Sequence, residues 1–290
     1  MMDSLAAAPM LTYIAAIIVG LVVGSFLNVV IHRLPIMMDI EWRAHCAELA
    51  GKATESTGEG EPYSLWRPRS RCPLCRRPIR AYENIPLFSW ILQKGRCRGC
   101  GERISLRYPL VELMGAVVSV IALWHFGPTP AALGAAGLGW ALLAASAIDL
   151  DRQLLPDSIT LPALWAGLAM NVFGVYAPLQ SAVVGAMAGY LALWLVYWAF
   201  RLITGKEGMG YGDFKLLAAL GAWTGWQQLP LIILLASAVG AIAGISLILF
   251  RGHGRSKPIP FGPFLACAGW LAVLFGPAIS GGYLRLTGME

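Results

Sequence analysis

Apolar runs of about 18 residues or more recur along this chain, and that recurrence decides its fold class before any motif is considered. A run of that length crosses a ~30 Å hydrocarbon core as a helix. Inside a bilayer only helices and closed barrels can satisfy their own backbone hydrogen bonds. Composition agrees: 57% of the 290 residues are hydrophobic and 13% are charged, too apolar for a soluble domain of this size. The chain therefore reads as an all-α polytopic membrane protein with about eight transmembrane helices. They are expected near 10–31, 109–126, 131–148, 158–175, 180–200, 214–226, 229–250 and 261–282. Residues 1–31 contain no Lys or Arg, so they lack the basic start of a cleaved signal peptide, and the first segment is expected to be retained. Small-xxx-small glycine pairs (Gly20/Gly24, Gly185/Gly189, Gly240/Gly244) are expected to permit close helix packing.

Basic residues set the orientation. The loop 32–108 holds 14 Lys and Arg, 149–157 holds one, 201–215 three and 251–260 three, which is 21 of the 22 in the chain. Threading eight segments puts all four loops on one side, cytoplasmic by the positive-inside rule, with both termini outside. The net charge of +6 thus reports topology in a lipid bilayer, and nucleic acid is not an expected partner.

Three regions follow: a first transmembrane helix over 1–31, a cytoplasmic zinc-binding domain over 32–108, and a seven-helix membrane domain over 109–290. The stretch 48–64 is rich in Glu, Gly, Ser and Thr and is expected to be flexible. Beyond it stand Cys72-Pro-Leu-Cys75 and Cys97-Arg-Gly-Cys100, with 21 residues between the pairs. Each pair forms a turn presenting two thiols, and two turns complete a tetrahedral site of four sulfurs for zinc. A reducing cytoplasm argues against disulfides. Four protein thiolates leave no open coordination position, so such a zinc is structural and supplies folding free energy to a loop too short for a large core.

Carboxylates at the same membrane level are the candidate chemistry. Asp213 lies in Gly208-Met-Gly210-Tyr-Gly212-Asp213 at the start of the sixth segment, the sole carboxylate between Glu207 and Glu290. An ionisable group entering a membrane helix is costly and marks function by default. Gly210 and Gly212 are supporting candidates, because glycine lets backbone approach closely. Asp149 ends the third segment, which runs inward, while Asp213 begins an outward-running one, so the two can meet. Two close carboxylates share a proton, one acting as base on a water while the other polarises a carbonyl. Asp157, after Pro156, is expected to cap a helix, and Asp151, beside Arg152, to be a solvated loop charge or part of a local ion pair. Glu112 either lines a cavity or pairs with Arg107 or another loop cation. Asn28 reads as interhelical glue and His32 as an interfacial residue.

Taken together, GSFLNVVIHRLP at 24–35, the two Cys-x-x-Cys pairs, IDLDRQLLPD at 148–157 and GMGYGDFKLLAALGAWTGW at 208–226 resemble the bacterial type IV prepilin peptidases, GxGD-type intramembrane aspartyl proteases. The resemblance runs from about residue 17 to 270 with the motifs in the family's order. It implies an inner-membrane enzyme, cytoplasmic in its active site, that removes the basic leader of type IV prepilins and type II secretion pseudopilins. It also implies N-methylation of the new terminus with S-adenosylmethionine, and it maps the paired aspartates onto Asp149 and Asp213. No Gly-rich nucleotide motif places the methyl donor, and the sequence carries no indication of oligomeric state. Two other classes compete, a non-proteolytic transporter and a zinc-containing assembly protein. A transporter would show matching interruptions in paired halves, which are absent here. An assembly protein would not need two aspartates at one level.

Overall fold

The computed structural model describes residues 9–51, 63–251 and 259–286. Most of the Glu/Gly/Ser/Thr-rich stretch at 48–64 and of the basic loop at 251–260 lies outside the described residues. Among the described residues the chain is helical with no strand: α1 (Pro9–Leu49), a short α2 (Phe88–Leu92), α3 (Arg107–Phe126), α4 (Pro130–Arg152), α5 (Asp157–Val172), α6 (Leu179–Thr204), α7 (Tyr211–Thr224), α8 (Leu229–Arg251) and α9 (Gly262–Leu286). All eight expected segments coincide with helices, and six are long and apolar enough to cross a membrane. The exceptions are α5, with 16 residues, and α7, with 14. At 1.5 Å per residue α7 spans about 21 Å, short of a ~30 Å core.

The first helix is longer than its apolar run. It passes through Pro35 to Leu49, so the expected end at residue 31 falls inside it. Proline removes one backbone hydrogen bond and is usually read as a stop. Here the ring is buried, and the Met, Ala and Glu residues that follow are good helix formers.

Two compact units form, one within Asp3–Val120 and the other within Ile121–Glu290. In the first, α1 and α3 cross at glycines. A Cβ on Gly20 would stand 2.5 Å from the Ala116 Cα, and one on Gly24 2.6 Å from the Glu112 Cα. Asn28 acts as expected, donating its amide to the Tyr108 carbonyl at 3.1 Å across the crossing. Glu112 has a partner that neither of its expected readings named. It is buried and accepts the Leu87 backbone N–H at 2.9 Å, tying the loop before α2 to α3. Arg33, which the sequence did not single out, is also buried. Its guanidinium donates to the carbonyls of Ser64, Leu65 and Pro68 at 2.9, 3.3 and 2.6 Å. Burial of such a charge is tolerable because three acceptors replace its water.

In the second unit α7 is the axis. Ten of its 14 residues are buried, from Asp213 to Trp223, which is how a helix too short for the bilayer can persist. It packs on α6 where Gly185 and Gly221 bring the two backbones together; a Cβ on either would strike the other helix's main chain. Gly189 likewise lies against the Leu217 carbonyl, whereas Gly240 and Gly244 meet only the side chains of Phe264 and Ile259. Against α5, the indole N–H of Trp223 donates to the Ala163 carbonyl at 2.8 Å.

Asn171, at the end of α5, is fully buried and satisfied on both sides. Its amide donates to the Ala222 and Trp223 carbonyls at 2.8 and 3.1 Å, and its oxygen accepts the Tyr176 and Ala177 N–H groups at 3.0 Å each. Asn171→Ala strands these backbone groups, each costing about 1–3 kcal/mol when buried unpaired. A thermal midpoint in detergent lowered by several degrees is expected, and an unchanged midpoint would refute the assignment.

Candidate functional site

The last turn of α4 and the first turn of α7 present the two deepest aspartates. Asp149 is 6% exposed and Asp213 8% exposed. Gln153, with φ 53°, ends α4 by donating its N–H to the Asp149 carbonyl at 2.8 Å, which fixes that turn. At α7 the cap is Gly210, and Asp213 follows three positions in, its N–H donating to the Gly210 carbonyl at 3.2 Å. A ring cluster of Tyr190, Tyr197 and Tyr211 around the buried Phe214 anchors the same turn.

One residue links the segments that carry the two side chains. Leu155 lies against Gly212, where a Cβ would stand 2.7 Å from its own Cβ. Its Cδ1 would be 3.2 Å from a Cβ on Gly262, and Gly262 donates its N–H to Asp149 Oδ2 at 3.1 Å. Among the described residues Asp213 Oδ1 is buried without a hydrogen-bond partner, so this oxygen is free to bond a reacting molecule.

The glycines divide by role. Gly212 cannot carry a side chain because Leu155 fills the space, and Gly208 cannot because the Phe200 ring lies 2.8 Å from its would-be Cβ. Gly210 has φ −83° and no atom closer than 3.9 Å to that position, so neither strain nor packing demands glycine there. Asp157 is not the cap. Pro156 occupies that position, and Asp157 begins α5 with its carboxylate bridged to Lys215 Nζ at 2.7 Å from both oxygens. Asp151 is exposed at the end of α4.

The four cysteines of the first unit form a second centre. The Sγ atoms of Cys72, Cys75, Cys97 and Cys100 all lie within 4.8 Å of one another, and Cys72 and Cys100 are 3.9 Å apart. A tetrahedron with ~2.3 Å zinc–sulfur bonds has edges of about 3.8 Å, so the cluster fits an ion such as zinc. The two knuckles repeat at an offset of 25 residues. Arg71 pairs with Pro78 and Arg96 with Arg103. The Ile79 N–H donates to the Ser70 carbonyl and the Ile104 N–H to the Gly95 carbonyl. Left-handed residues close each turn, Arg76 at φ 56° and Gly101 at φ 74°. Backbone N–H groups aim at the sulfurs. Those of Cys100 and Gly99 bring the Cys97 thiol down to about 6. Despite the Glu102 N–H, desolvation and the other sulfurs push Cys100 up to about 11. Four thiolates so close repel, and a divalent cation removes that conflict. Arg77 beside the cluster pairs with Glu83 at 2.7 Å.

Comparison with known proteins gives the chain a family. A model described as the bacterial peptidase A24 N-terminal domain matches residues 18–126, and the type IV leader peptidase family matches residues 136–245. Proteins named prepilin leader peptidase/N-methyltransferase are similar end to end. The one from Aeromonas salmonicida is 58% identical over 95% of both chains. That from Stutzerimonas stutzeri is 53% identical over 98% of both, and that from Pseudomonas aeruginosa 52% identical over 100% of this chain and 99% of its own. No solved structure matches the chain. With both family models placed in order and relatives more than half identical along nearly its whole length, the chain belongs to the type IV leader peptidase family of multi-pass membrane enzymes.

Proposed function

We propose that the protein cleaves the basic leader from type IV prepilins and type II secretion pseudopilins at the cytoplasmic face of the inner membrane, with Asp149 and Asp213 as the catalytic pair. The observation that carries this reading is the burial of two carboxylates in the end turns of α4 and α7, with Leu155 packed both against Gly212, beside Asp213, and against Gly262, which bonds Asp149. One carboxylate takes a proton from water as the oxygen attacks the scissile carbonyl, and the other gives its proton to the carbonyl oxygen. The tetrahedral intermediate then collapses. The nitrogen gains a proton, the C–N bond breaks, and a carboxylate and an amine leave. A basic leader held in the cytoplasm and a pilin helix held in the bilayer would put the scissile bond at the level of these side chains.

Cys72, Cys75, Cys97 and Cys100 would hold one structural zinc, organising the loop between α1 and α3. The zinc takes no step in hydrolysis, because four thiolates close its coordination shell. A second activity is proposed from the relatives' names: methylation of the freed amine, with S-adenosylmethionine as donor. No residue is assigned to the donor.

Incubation of the purified enzyme with a prepilin in detergent tests the reading, leader loss appearing as a shift on a gel. The two activities should separate, since the aspartates serve hydrolysis alone. Given a pre-cleaved pilin, Asp213→Asn should still transfer the methyl group. Loss of both activities at full folded content would mean that they share one site.

A further inference from the structure

Asp149 has a partner from far along the chain. Gly262, the first residue of the 25-residue α9, donates its backbone N–H to Asp149 Oδ2 at 3.1 Å within the buried interior. The neighbouring donors of that turn are occupied elsewhere. Phe264 and Leu265 both donate to the Phe261 carbonyl at 3.1 Å, and Pro263 has no N–H. The Gly262 donor is thus directed at the carboxylate, with the positive end of the α9 dipole behind it.

The missing side chain matters as much as the hydrogen bond. A Cβ on Gly262 would stand 2.5 Å from Asp149 Oδ2 and 3.2 Å from its Cγ, with Leu155 Cδ1 also at 3.2 Å. Neither neighbour offers simple relief. Leu155 is itself buried and wedged against Gly212, the residue before Asp213. Any side chain at 262 therefore turns the Asp149 carboxylate away from its present orientation.

We propose that Gly262 is a positioning residue for proteolysis, its N–H and its bare Cα together holding the Asp149 carboxylate in the orientation from which it works with Asp213. This rests on the reading of the two aspartates as the catalytic pair. The α9 N-terminus then belongs to the active centre although it contributes no reacting group. A misplacement of ~1 Å at a reacting group can cost about 10²-fold in rate, and Gly262 guards against that loss.

The test compares wild type, Asp149→Asn and Gly262→Ala at equal amounts of folded enzyme, with a prepilin as substrate and a pre-cleaved pilin as methyl acceptor. Gly262→Ala should lower the kcat of cleavage about 10²-fold, leave KM within about twofold, and leave methylation and the thermal midpoint near wild type. A purely structural role would lower both activities and the midpoint together, and that result overturns the proposal. So does a Gly262→Ala enzyme that cleaves at the wild-type rate while Asp149→Asn is inactive. If Asp149→Asn itself cleaves normally, the reading of the aspartates falls, and this inference falls with it. Should Gly262→Ala not fold, replacement of the Gly262 amide by an ester removes the donor without adding volume. That change should slow cleavage about 10-fold or more, and an unchanged rate overturns the proposal.

Discussion

Asp149→Asn and Asp213→Asn are each expected to abolish prepilin cleavage with little change in membrane insertion or metal content. An amide keeps the volume and most hydrogen bonds of the carboxylate but can neither take a proton from water nor share one. Loss of general acid–base catalysis typically costs about 10²–10⁴-fold per group, and loss of either member of a coupled pair belongs at the upper end. The neighbouring carboxylates provide the contrast. Asp157, 54% exposed in its bridge to Lys215, should tolerate Asn, because exposed ion pairs contribute about 0–1 kcal/mol. Asp151→Asn should be equally mild at its exposed position. Initial cleavage rates for the four variants at equal folded enzyme decide the matter. An inactive Asp151→Asn beside an active Asp149→Asn would move the pair two residues along.

Cys72→Ser and Cys97→Ser should each lower bound zinc from about one per chain towards zero and unfold the region around the knuckles. The stretch 63–107 has little apolar burial of its own, with Cys72 its one buried hydrophobic residue. The metal is therefore expected to supply most of its folding free energy, about 10–16 kcal/mol in comparable zinc-bound peptides. Elemental analysis of the purified enzyme gives the stoichiometry, and limited proteolysis reports the folding of 63–107. Chelation should expose the same cleavage points in this region. A metal-free protein with an intact, protease-resistant knuckle region would defeat the assignment.

The long helices and the cysteine cluster were legible in the sequence because both are local properties. An apolar run of fixed length reports burial in lipid wherever the chain goes, and a Cys-x-x-Cys turn brings its own two sulfurs together. The placing of Asp149 at the end of one helix and of Asp213 at the start of another was legible as well, since each stands where an apolar run stops or begins. Partner identity was not legible. Asp157 looked like a cap, but Pro156 took that position and Lys215, 58 residues away, took its carboxylate. Glu112 accepts the backbone N–H of Leu87, 25 residues away, and Arg33 found three carbonyls beyond the end of its own helix. Gly262 lies 113 residues from Asp149 and meets it through a main-chain N–H, a group that nearly every residue possesses and no motif marks. Periodicity and composition state which faces are buried. Only the packing of α4, α7 and α9 decides which donor a buried carboxylate receives and where a Cβ has no room.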